Sequence, residues 1–495
     1  MTQEFSDGRL LIGGTWRKGR GAPITSVFAA EGTVNQTLAG ASAEDVQDAV
    51  AAAKSAQKSP AWAGLKPHER AAYLYRISDG IAENVDRISW IQSRDTSKTL
   101  GETRALALSA AGTFRYFGAV LETSDDLLTT PRGDYLTSSV HEPLGVVAAI
   151  TPWNSPIASD AQKVAPALAA GNAVILKPAS WSPLVCLELA RIIDNAGLPL
   201  GLFSVLPGSG REVGNLLVEH PDIAKVSFTG GTETGRHLAG IAARKLMPVS
   251  LELGGKSPTI VFDDCDMDLA IAGVLFGIFS SSGQSCIAGS RLFVQRSVYN
   301  SFVDRLVQAT QALIVGHPFD STTQVSSLIH ADHRASVEGY VARARQEGGE
   351  VLCGGGRPGG LDAGAYYQPT IIAGLDNTAR TCRDEIFGPV LVVMPFEDEA
   401  DVIAQGNDNE YGLACGIFSN DRRKCWRVAR AIRAGTVWVN TYKQFSISTP
   451  FGGDGASGIG REKGRAGLRA YQAQKSIYED LSGQPHPWAR WPKGA

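Results

Sequence analysis

The sequence has no C-x-x-C pair among its seven cysteines, which stand at 186, 265, 286, 353, 382, 415 and 425. Scattered, odd in number and without ligand spacing, they exclude a disulfide framework and a zinc site and point to a reducing compartment. Positive charge is not in excess: a net charge of −3 offers no field to nucleic acid or to an anionic membrane. No apolar run approaches the ~18–20 residues that span a bilayer. The opening MTQEFSDGRL lacks the cationic and then apolar pattern of a secretory signal. Internal repeats and low-complexity tracts are missing too. These absences leave a cytoplasmic globular protein with no nucleic-acid or membrane partner.

What is present is a chain of 495 residues, too long for one hydrophobic core, so two or three domains are expected. The N-terminal part reads as helical. SAEDVQDAVAAAKSAQ opens with Ser42 as N-cap and Asp45 three residues later, and a second helical pattern runs from about His68 to Ser97. From residue 145 the short apolar runs GVVAAI, NAVILK, FSVL and AKVSFTG alternate with helical stretches. The alternation resumes with SPTIVF, RLFVQ, GPVLVVMPF, LACGIFS and GTVWVN. Such alternation predicts an α/β protein of two doubly wound parallel-sheet domains joined near residue 255. The segment 124–145 fits a protruding hairpin or a surface loop equally well.

The residues that carry chemistry fall after the strands. GQSCIAGSR places Cys286 among Gly283, Ser285 and Gly289, with more room than a structural thiol needs. LELGGKSP puts Glu252 at a strand end before a glycine pair, where a carboxylate can deprotonate a water or a thiol; a surface glutamate beside a turn is the plainer reading. TPWNSPI holds Asn154 between two prolines, as an oxyanion donor or as a helix cap. LPGSGREVG and FTGGTETG each follow a strand and open a helix, which suits phosphate, although neither matches G-x-G-x-x-G.

In their order and spacing, PWNSP, KPAS, FTGGTETG, LELGGKSP, GQSC, EIFGPV and PFGG…SGIGREKG resemble the aldehyde dehydrogenase superfamily, from about residue 10 to 480. The resemblance implies NAD(P)-dependent oxidation of an aldehyde to the acid, without acylation of coenzyme A. Cys286 is then the nucleophile, Asn154 and the Cys286 N–H the oxyanion hole, and Glu252 the base that activates water. Lys163 and Glu462 match a lysine and a glutamate that relay protons. Trp153, Lys177, Ser180, Gly210, Arg211, Phe228, Gly230, Gly231, Thr234, Leu253, Glu385 and Phe387 fall at cofactor positions. The implied division is 1–123 with 146–254 for NAD(P), 255–464 for catalysis, 124–145 with 465–485 as oligomerisation arm and strand, and 486–495 as a tail. Relatives assemble as dimers or tetramers through such an arm, so a homodimer or homotetramer is expected.

Three departures from the family pattern bear on specificity. Ser180 stands where NAD-preferring members often carry a glutamate, and Arg211 follows the GSG turn; together they predict that NADP is accepted as well as NAD. Gly231 replaces a common serine. Asp454 and Gly455 replace an aromatic–lysine pair, with no account from the sequence. Ser155, Ser159, Gln162, Ser280, Ser285, Ile287, Phe445 and Phe451 fall at the substrate tunnel, and its serines suit a bulky or polar aldehyde. Lys443 stands at the tunnel mouth, either to attract an acidic substrate or merely solvated. A coenzyme A-acylating enzyme lacks the glutamate seen at 252, and a thiol hydrolase would leave the cofactor motifs unused. The tail, with Trp488 and Trp491, fits subunit packing or disorder.

Overall fold

A computed structural model describes residues 4–486 and 488–489. Apolar runs that the sequence makes continuous become strands buried on both faces, and they sort into two large sheets. The first has the spatial order Gly458–Ile459, Val249–Glu252, Ile223–Thr229, Val146–Ile150, Ala173–Lys177, Phe203–Val205, parallel except at the Gly458–Ile459 edge. The second has the order Glu350–Cys353, Thr370–Ala373, Val390–Phe396, Arg291–Gln295, Pro258–Val261, Ala414–Phe418, Thr436–Val439. There only the first pair is antiparallel. Helices such as Pro156–Ala169 and Leu184–Asn195, whose side chains are mostly buried, cover the first sheet. The α/β class and the two parallel-sheet domains are as the sequence predicts.

A third, three-stranded antiparallel sheet joins Gln472–Asp480, Tyr135–Pro143 and Leu127–Thr129. It resolves the 124–145 segment as a hairpin.

Three expectations need correction. Residues 10–39, read as part of a helical region, form two antiparallel pairs, Leu10–Ile12 with Thr15–Arg17 and Pro23–Phe28 with Thr33–Ala39. Their inward positions include Ser26, whose hydroxyl bonds Asp95 Oδ1 at 2.6 Å, so a polar side chain interrupts the apolar alternation. The 68–97 pattern is two helices, Pro67–Glu83 and Val85–Thr96, parted at Asn84. Gly458–Ile459, assigned by sequence to the second domain, pairs with Leu251 and Glu252 of the first sheet, so the chain crosses back before residue 464. A two-residue strand that is itself half glycine carries no periodic signal.

The Ser42 capping box forms as expected. Among the described residues, no helix is long and apolar enough to cross a membrane. Of the tail, Trp488 is exposed, and Trp491 lies outside the described residues.

Candidate active site

In the first sheet the chain steps outward from Val146–Ile150 to Phe203–Val205, then restarts on the opposite side with Ile223–Thr229. The crevice above Ile150 and Thr229 is therefore a topological switch point, the place where such sheets bind ligands. A cavity of about 790 Å³ fills it. Its walls contain every residue the sequence placed at the cofactor: Trp153, Lys177, Ser180, Gly210, Arg211, Phe228, Gly230, Gly231, Thr234, Leu253, Glu385 and Phe387, with Asn154 and Cys286 at one end.

The cavity fits a dinucleotide. Gly231 is the N-cap of helix Thr232–Arg244 and offers no side chain, which leaves first-turn N–H groups free for an anion. At Gly210 and Gly231 an added Cβ would meet no protein atom, so ligand can approach the backbone there. Ser209 caps the next helical segment through Glu212 N at 3.0 Å. Ser180 Oγ donates to Gly208 O at 3.1 Å, and Arg211 is exposed on the same rim. Lys177 Nζ donates to Pro178 O at 3.1 Å, and burial lowers this lysine to about 8.

Toward Cys286, Glu385 Oε1 accepts Gly255 N at 3.0 Å, and burial raises its carboxyl to about 7. A side chain on Gly254 would come within 2.5 Å of Glu385 Oε2, so the glycine pair after Glu252 admits this carboxylate.

Trp181 and His333 also line the cavity and escaped the sequence reading. His333, on helix Ala331–Gln346, donates from Nε2 to Phe387 O at 2.8 Å and so holds Phe387, whose φ is +58°. Trp153 packs edge-on against Phe387 and His333, 5.1 and 5.3 Å between ring centres. A single histidine on a polar helix face carries no sequence signal for this role.

Cys286 sits past three left-handed residues, Ser281, Ser282 and Gly283. At Gly283 the requirement for glycine is strict, because a Cβ would stand 2.1 Å from Gly388 O. Burial pushes the Cys286 thiol up to about 12, reinforced by Glu385 and Glu252 and opposed by Lys443. The resting Cys286 side chain is therefore a thiol. Its N–H has no protein acceptor among the described residues. Asn154 Nδ2 donates to Gln284 O at 3.0 Å; this fixes the amide and leaves its second N–H for a ligand.

Glu252 ends its strand, and its Oε2 is buried without a partner. Burial, then the charge of Glu462, raises this carboxyl well above the ordinary range. Glu462 is ion-paired with fully buried Lys163, whose Nζ also donates to Ser227 Oγ at 3.3 Å.

Outside the cavity wall, Ile287 and Phe451 join Leu413, Trp438 and Tyr442 in an apolar group against Cys286. Phe445 stands edge-on to Phe451 at 5.4 Å. Ser155, Ser159 and Gln162 are the part-exposed positions on one face of helix Pro156–Ala169. Ser285 borders a small internal void with Gly283, Glu385 and Gly388, apart from that apolar group. Lys443 Nζ donates to Ser280 Oγ at 2.8 Å. Lys463, unremarked in the sequence, lies over the Phe445 ring at 3.9 Å.

A crevice of dinucleotide size at the switch point of a doubly wound sheet defines a nucleotide-binding α/β protein. Comparison with known proteins narrows the class: the family model described as aldehyde dehydrogenase family matches residues 16–477, and the chain belongs to this family. Betaine aldehyde dehydrogenase 1 of Rhizobium meliloti (strain 1021) is 41% identical over 470 residues, 94% of this chain and 96% of that protein. The crystal structure of betaine aldehyde dehydrogenase from Staphylococcus aureus with NAD+ superposes with a TM-score of 0.96 at 35% identity, covering 98% of this chain and 97% of that one. An aldehyde dehydrogenase variant from Bacillus cereus gives 0.94 at 35%, covering 96% and 97%. This chain is an NAD(P)-dependent enzyme that oxidises an aldehyde to the carboxylic acid.

Proposed function

We propose that Cys286 adds to the aldehyde carbonyl, that Asn154 and the Cys286 N–H hold the oxyanion, and that Glu252 activates the water that releases the acid. The observation that carries this reading is the meeting of thiol and spare amide donor in the cavity wall, with the Glu252 carboxyl near enough to act on the thiol. The thiol proton passes to Glu252 in its ionised form and on to the Glu462–Lys163 pair, as Sγ bonds to carbon and the C=O electron pair moves to oxygen. Each fixed donor to that oxygen is worth about 3–4 kcal/mol. When bound, the nicotinamide takes hydride from the tetrahedral carbon, which leaves a thioester on Cys286. Water then adds, Glu252 accepts its proton, and the thiolate departs. The test is NAD(P)H formation at 340 nm with stoichiometric acid product; acid without reduced cofactor would revive the thiol hydrolase.

Cofactor choice is part of the proposal. No carboxylate occupies position 180, and Arg211 on the rim supplies a charge-assisted partner for a 2′-phosphate. NADP is expected to support kcat/KM comparable to NAD. Arg211→Ala should lower the NADP value by about tenfold or more relative to NAD, since a hydrogen bond to a charged group is worth ~1.5–3 kcal/mol. A thousandfold preference for NAD in the unaltered enzyme overturns this.

The enzyme is further proposed to be a cytoplasmic homodimer or homotetramer acting on a bulky or polar aldehyde. All seven cysteines are unpaired, which suits a reducing compartment. Gln472–Asp480 is an edge strand with Ile477 and Tyr478 exposed, and Leu128 on the same sheet is 75% exposed. Such an edge calls for a partner. Light scattering that returns only the 52.4 kDa monomer argues against the assembly.

A further inference from the structure

The substrate side of Cys286 carries two ammonium groups that form no ion pair among the described residues. Lys443, on the loop after strand Thr436–Val439, reaches Ser280 Oγ at 2.8 Å. Lys463 follows Glu462 and lies over two aromatic rings, Phe445 at 3.9 Å and Phe451 at 5.5 Å. Both residues hold left-handed backbone, φ +53° and +59°. For a lysine this conformation costs roughly 1–2 kcal/mol, and such outliers gather at functional sites.

Of the neighbouring carboxyls, Glu252 lies near Lys463, but burial and then the Glu462 charge raise it well above the ordinary range, which favours its neutral form; the others are committed elsewhere. Glu102 accepts from Ser281 N at 2.6 Å, Ser281 Oγ at 3.2 Å and Thr99 N at 3.2 Å. Glu462 is paired with Lys163. A sheltered ammonium without a counter-charge is costly, and a ligand carboxylate relieves that cost. Burial lowers Lys443 to about 7 and Lys463 to about 8, as expected of cations short of a partner.

Resting on the dehydrogenase reading above, we propose that Lys443 and Lys463 select an aldehyde that carries a carboxylate at its far end. The aldehyde carbon meets Cys286, the short chain lies against Phe445 and Phe451, and the anionic end meets the two ammonium groups. The relatives are named for betaine aldehyde, whose quaternary ammonium would be repelled by the same pair. The competing explanation is that the lysines serve only to ease ionisation of Cys286, which would affect every aldehyde alike.

The experiment measures kcat/KM for 4-oxobutanoate, butanal and betaine aldehyde by reduced-cofactor formation. 4-Oxobutanoate is expected to exceed butanal at least tenfold, with betaine aldehyde lowest. Lys443→Met and Lys463→Met should each narrow the 4-oxobutanoate-to-butanal ratio at least tenfold, chiefly through KM, and Lys443→Arg should restore most of it. A preference for betaine aldehyde, or equal losses on all three substrates in the Met variants, overturns the proposal. Absence of reduced cofactor with any aldehyde would instead defeat the dehydrogenase reading on which it rests.

Discussion

Cys286→Ala is expected to lower aldehyde oxidation by more than about 10,000-fold, the scale seen when a covalent nucleophile is removed. Cofactor affinity should stay within a few-fold, since Cys286 supplies one small side chain to a cavity wall built mostly from other residues. No other cysteine can substitute: Cys186, Cys353, Cys382, Cys415 and Cys425 are buried, and none of the six others lines the cavity. A bare aldehyde has no electron pair poised to expel hydride, whereas an alkoxide on a sulfur-bound carbon does. Asn154 and the Cys286 N–H can stabilise that alkoxide only after sulfur has added. Stopped-flow absorbance, with cofactor binding followed by calorimetry, checks both halves. Turnover within tenfold of the parent enzyme would remove Cys286 from the mechanism.

How much of this was legible in the sequence depends on how local each signal is. Val146–Ile150, Ala173–Lys177 and Ala414–Phe418 are buried at every position, so continuous apolar runs announced them. Cys286, Glu252 and Asn154 stand at strand ends or in glycine- and proline-marked loops, where chain chemistry alone suggests close access. The hairpins of residues 10–39 were lost because strands of three to seven residues with inward polar groups imitate irregular chain. His333 and Trp181 reach the cavity only through tertiary placement of a helix and a loop. Lys463 is the sharper case. Nothing in its sequence neighbours Glu462 and Gly464 singles it out, and only the fold lays its ammonium on Phe445 and Phe451. A left-handed lysine is invisible without coordinates.

Glu252→Gln should separate the two halves of the reaction. Loss of a positioned general base costs about 100- to 10,000-fold, and here it falls on thioester hydrolysis more than on hydride transfer. Mixing the variant with aldehyde and cofactor should give a burst near one reduced cofactor per Cys286, followed by slow turnover, with an acyl adduct on that cysteine by intact mass. Glutamine matches glutamate in shape, so the variant keeps the close packing against Gly452, where a Cβ would stand 2.7 Å from Glu252 Oε1. pH supplies a second readout. Burial and the Glu462 charge hold Glu252 protonated above the ordinary carboxylate range, so its basic form grows as pH rises. Acyl release in the unaltered enzyme should accelerate with pH through that displaced value, and the Gln variant should lose the dependence. Steady turnover at the parent rate, with no burst and no adduct, would show that another group activates the water. Glu462, next along the proton path and paired with Lys163, is the obvious substitute.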